Sequence, residues 1–88
     1  METMAAVCLR RVEDSADPAV FVATRLISLL GMARRVELDG LDHDRILLRV
    51  GPEIGPAAQD GWATQLFGEV RRHLRARAFA GWEPEPGR

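Results

Sequence analysis

Three carboxylates and one imidazole crowd a short stretch at Asp39, Asp42, His43 and Asp44, and oxygen-rich loops of that kind hold divalent cations. The spacing fits no EF-hand loop and has no closing bidentate Glu, while aspartates are ordinary turn residues, so no metal site is expected. A second constellation is basic. Arg71, Arg72, His73, Arg75 and Arg77 form the densest cationic run, and the planar guanidinium fork suits phosphate. Arg71, Arg72 and Arg75 are therefore the expected anion-binding residues, although cations also gather at helix C-termini for reasons of the macrodipole alone. Cys8, His43 and His73 are too scattered for the paired ligand spacing of a zinc site. Cys8 reads as a small apolar residue rather than a reactive thiol. Trp62 and Trp82 read as packing residues. All 12 basic residues are Arg and Tyr is absent, which excludes a P-loop lysine, a Schiff-base enzyme and a phenolic acid. His43 and His73 are the only candidates for acid–base work near neutral pH, and no nucleophile or oxyanion donor is readable near the loop that holds His43. No enzyme activity and no cofactor are expected.

These residues have to be positioned by a small scaffold. The chain has 88 residues, 47% hydrophobic and 28% charged, which predicts one globular domain with a packed core. Residues 1–82 are read as that domain and residues 83–88, Glu-Pro-Glu-Pro-Gly-Arg, as a flexible tail. The formal net charge of −1 offers no global attraction for nucleic acid or anionic lipid. A single Cys cannot close an internal disulfide, and Glu2 stands where a secretory leader carries positive charge. The most apolar stretch, Pro18 to Ala33, is broken by Arg25 and is shorter than the roughly 20 residues a membrane helix needs. A cytoplasmic protein without membrane contact is expected.

Alternation over Met4 to Val12 predicts a first strand. Asp17 followed by Pro18 predicts a helix start, with Asp17 as cap, and the helix runs through Leu30 to a left-handed cap at Gly31. Only Thr24, Arg25 and Ser28 interrupt its apolar surface, which predicts burial nearly all round. Met32 to Asp39 alternates, with Met32, Arg34, Val36 and Leu38 on one side. Arg45 to Val50 does the same, and Asp39-Gly40 opens the turn between them, giving a hairpin. Gly51-Pro52 ends that strand in a loop. A second helix begins at Pro56 or after Asp60 with a core stripe of Trp62, Leu66, Val70 and Leu74, joined by Phe67 and Ala78. Phe79 to Trp82 forms a short last strand.

Strand, helix, strand, strand, helix and a final strand give an α+β fold, a two-layer sandwich of ferredoxin-like βαββα(β) order with both helices on one face of an antiparallel sheet. The first and third strands are central, and the charges of Arg34, Arg35 and Glu37 mark the second as an edge. The helices cover Val7, Leu9, Val36, Leu38, Ile46, Leu48 and Val50. The other sheet face carries Ala6, Cys8, Arg10, Arg35, Glu37, Arg45, Leu47 and Arg49, an apolar centre with a charged rim, which is the composition of an interface. The expected function is a small non-enzymatic protein–protein interaction or assembly module, an adaptor that dimerises or docks on a protein partner through that open face, with an exposed flank of the first helix as a further contact surface. The alternative is nucleic-acid association through the Arg-rich end of the second helix, although the central strands lack the aromatic residues on which RNA-recognition domains stack bases. In element order, and in the Asp14 to Pro18 turn that leads a strand into a helix, the chain also resembles small regulatory ligand-binding domains of the ACT type. It lacks the glycine usual in that turn. The resemblance implies a small-ligand site, here between helices and sheet.

Overall fold

The computed structural model describes residues 4–54 and 61–85. The elements run β1 (Ala5–Arg11), α1 (Ala19–Leu30), β2 (Arg34–Leu41), β3 (Arg45–Glu53), α2 (Trp62–Leu74), a 3-10 turn at Arg77–Phe79 and β4 (Trp82–Pro84). The strands form one four-stranded sheet in the order β2-β3-β1-β4, with every neighbouring pair antiparallel. The fold is thus α+β, an open antiparallel sheet with two helices.

Period-two alternation sorts the sheet into two faces. Val7 and Leu9 of β1 stand opposite Leu48 and Ile46 of β3, and with Val50 they form one buried cluster. Val22, Leu26 and Leu30 of α1 close on that cluster, as do Leu66 and Val70 of α2, with Phe79 and Trp82 filling its margin. Both helices therefore serve the same sheet face. β3 is the most buried strand because it has neighbours on both sides and helices above.

Several local expectations are corrected. The hairpin turns at Asp42–Asp44, where the Asp42 N–H donates to the Arg45 carbonyl at 2.9 Å, and Asp39-Gly40 stays inside β2. The ladder slips between Leu38 and Gly40, and a Cβ on Gly40 would stand 3.4 Å from the Leu47 Cβ, so the glycine serves an irregularity rather than a turn. β3 does not stop at Val50 but runs to Glu53. Among the described residues its pairing with β1 runs to Ala5 opposite Val50, and Gly51-Pro52 continues the strand beside β2. β2 accordingly occupies Arg34–Leu41 rather than Met32 to Asp39.

At the start of α1 the N-cap is Pro18, with extended φ and ψ, and its carbonyl accepts from the N–H groups of Phe21 and Val22. Asp17 makes no side-chain cap; its carboxylate pairs with Arg25 instead. Gly31 has φ −69° and is right-handed. Ala78 lies beyond α2 in the 3-10 turn, and Phe67 is exposed. The last strand begins at Trp82, so pairing extends into the expected tail at Glu83 and Pro84. The expected start at Pro56 lies outside the described residues, whereas the start after Asp60 agrees with α2 beginning at Trp62.

Candidate functional site

The open sheet face is assembled by β1 and β3 at its centre. Cys8 stands opposite Leu47, Ala6 opposite Arg49 and Arg10 opposite Arg45. Cys8 and Leu47 are half-buried, while Ala6, Arg10, Arg35, Glu37, Arg45 and Arg49 are exposed. The rim is laced by ion pairs, Arg49 Nε to Asp39 Oδ2 at 3.2 Å, Arg35 Nε to Glu37 Oε2 at 3.3 Å and Arg45 Nη2 to Glu85 Oε1 at 3.3 Å. Glu83 faces Arg10 across the β1–β4 pair. The structure thus brings together every residue expected on this face. Cross-strand packing and the long Arg stems leave Leu47 only partly accessible.

The larger apolar surface lies elsewhere. Among the described residues the exposed large hydrophobics include Val20, Phe21, Leu29, Met32, Leu38 and Leu41, which lie off the open face, and Val12, which continues the parity of Ala6, Cys8 and Arg10 at its margin. α1 buries Ala19, Val22, Ala23, Leu26 and Leu30 and leaves its opposite flank uncovered, so its burial all round is not observed. Val20, Thr24, Ser28 and Met32 follow one another at four-residue steps along that flank, with Phe21 and Leu29 beside them. Phe21 keeps 55% and Met32 85% of its surface in solvent. The strip is less polar than its composition. The Thr24 hydroxyl donates to the Val20 carbonyl at 2.7 Å, and Arg25 is drawn aside to Asp17 and to the Ala78 carbonyl. Leu38, assigned above to the covered sheet face, is 49% exposed because β2 is the edge strand and the helices do not reach over it there.

Arg71 and Arg72 fall in the last turn of α2 and Arg75 caps it, all exposed. Among the described residues, none of Arg71, Arg72, Arg75 and Arg77 has an ion-pair partner. The acidic stretch is not gathered into one site. Asp39 faces Arg49 within β2, while Asp42 accepts from the His43 N–H in the turn. Among the described residues no group of three His, Cys, Asp or Glu side chains is placed to hold a metal ion. No described helix is long and apolar enough to cross a membrane. Trp82 is buried, donates Nε1–H to the Asp17 carbonyl at 2.9 Å and carries the Arg11 guanidinium 5.6 Å from its ring centroid.

Arg34 is the residue whose role the charge pattern conceals. Read as an edge charge, it is instead the one charged core residue among those described, with 3% of its side chain exposed. Its Nη2 donates to Glu69 Oε2 at 3.4 Å, and Nε and Nη1 have no partner among the described residues. Glu69 Oε1 lies 3.8 Å from His73 Nε2, one turn along α2. Arg34, Glu53, Gln65, Gly68, Glu69 and Arg72 line a cleft of about 500 Å³. The signal for its burial is present in the sequence, because Arg34 shares strand parity with Val36 and Leu38.

No protein-family model, no curated protein and no solved structure matches this chain.

Proposed function

We propose that the chain is a non-enzymatic assembly module that pairs with a second copy of itself through the α1 flank. The observation that carries this reading is the strip from Val20 to Met32, large apolar side chains in solvent among which the Thr24 hydroxyl and the Arg25 guanidinium are bonded within the chain. Such a strip gains by leaving water, and the pairing of Arg25 with Asp17 limits repulsion between identical copies. Two copies related by a two-fold axis would lay α1 against α1, and a 12-residue helix offers about 18 Å of contact length. The strand order and the placement of both helices on one sheet face support assigning the ferredoxin-like plan to this scaffold.

The open sheet face is the second surface available to such a module, favoured by the half-buried pairing of Cys8 with Leu47 amid ion pairs. Light scattering during size exclusion separates the two. Phe21→Asp is expected to give a folded monomer while Leu47→Asp still dimerises, and the reverse result moves the interface to the sheet. Nucleic-acid association has in its favour the unpaired Arg71, Arg72 and Arg75. It requires salt-sensitive binding of a labelled oligonucleotide that vanishes when all three become Gln, and an absence of binding at about 50 mM salt removes it.

A further inference from the structure

Given the pairing of two copies through the α1 flank, on which this rests, we propose that Met32 is an oxidation site for peroxides and that its sulfoxide opens the pair. Met32 is the most exposed large hydrophobic residue among those described, with 85% of its surface in solvent, whereas the other described sulfurs, in Met4 and Cys8, are half-buried. Its place is fixed from both sides. The Gly31 N–H donates to the Ile27 carbonyl at 2.8 Å and the Ala33 N–H to the Leu30 carbonyl at 3.3 Å, so the turn between α1 and β2 holds Met32 at the helix end with its side chain outside the core. The other large side chains of the strip, Val20, Phe21 and Leu29, carry no group that a peroxide attacks.

The spacing of the strip sets what the sulfur meets. Val20, Thr24, Ser28 and Met32 are evenly spaced, so a two-fold axis at the middle of the strip sets Thr24 of one copy opposite Ser28 of the other, and Val20 opposite Met32 with Phe21 beside it. The short central side chains let the helices approach, and a thioether against an aromatic edge is a favourable contact. Oxygen transfer breaks the O–O bond of the peroxide, forms an S–O bond and takes an electron pair from sulfur, leaving water or an alcohol. The sulfoxide is strongly polar and must shed its water on pairing. Val20 and Phe21 offer it no donor, and the Thr24 hydroxyl is already committed to the Val20 carbonyl. Methionine sulfoxide reductase reverses the step, returning the electron pair from a dithiol that becomes a disulfide and releasing the oxygen as water.

Sedimentation velocity in a Cys8→Ala background, before and after millimolar hydrogen peroxide, tests this, with peptide mass spectrometry locating the added oxygen. Met32 is expected to oxidise ahead of Met4, and more slowly as rising protein concentration covers it. The oxidised protein should keep its dispersed amide spectrum and dimerise about tenfold or more weakly, and the reductase with a dithiol should restore the dimer. Met32→Leu, which retains Met1 and Met4, should dimerise like the parent and be indifferent to peroxide. The proposal is overturned if Met32 oxidises no faster than Met4, or if peroxide weakens the Met32→Leu dimer to the same extent. A dimer that oxidation of Met32 leaves equally tight removes this proposal alone, whereas a parent that stays monomeric at about 500 µM removes the pairing and this proposal together.

Discussion

A Cβ built on Gly81, where φ is +85°, comes within 2.5 Å of the Ala16 Cβ and 3.3 Å of the Ala16 Cα. Neither the backbone conformation nor the space admits a side chain, and the Gly81 carbonyl also accepts from the Val12 N–H at 2.8 Å. Gly81→Ala is expected to cost about 2–4 kcal/mol, from left-handed strain and overpacking together, measured by urea denaturation. Gly68 is the opposite case. It lies mid-helix with open space around it, so Gly68→Ala is expected to stabilise by about 0.5–1 kcal/mol in the same assay. Arg34→Met should raise stability or leave it unchanged within about 1 kcal/mol, because the native guanidinium is under-paired and Glu69, partly exposed, can turn to water. A loss above about 3 kcal/mol would show that the ion pair stabilises more than its length suggests. The parity of Arg34 with Val36 was legible before the fold was known, but the charge outweighed it, since nothing in a sequence says whether an arginine finds a carboxylate such as Glu69 overhead.

Element by element, the core stripes were readable and the connections were not. Alternation in β1 and β3 identified Val7, Leu9, Ile46, Leu48 and Val50, all buried, because burial on one face of a strand is a purely local pattern. Asp39-Gly40 has hairpin chemistry, yet the chain uses that glycine for close approach to Leu47 and turns three residues later, which depends on cross-strand register. Asp17 is a good cap by type, but Arg25 competes for its carboxylate. The closing strand was misplaced because its three residues are held less by propensity than by Trp82. That side chain joins β4 to the β1–α1 loop through the Asp17 carbonyl and to β1 through Arg11. Trp82→Ala is expected to cost about 3–5 kcal/mol and to release β4, giving fast amide exchange at Glu85, whose N–H donates to the Cys8 carbonyl. Trp82→Phe keeps the packing and loses one hydrogen bond, at about 1 kcal/mol.

For the molecule as a whole, the sequence indicated more apolar surface than one small domain can cover and placed it first on the sheet and second on a flank of the first helix. The structure puts the larger share on the helical layer, where Val20, Phe21, Leu29 and Met32 face solvent. The reason is geometric. A sheet face rimmed by Arg49–Asp39 and Arg45–Glu85 is shaded by its own long side chains, whereas a helix lying on a narrow sheet turns its outer side fully outward. That flank meets a second copy. Sedimentation velocity over a concentration series of the unmodified protein tests it most directly. The 9.8 kDa monomer is expected to pass to a species of twice that mass as concentration rises into the micromolar range. A single monomeric boundary persisting at about 500 µM would contradict it.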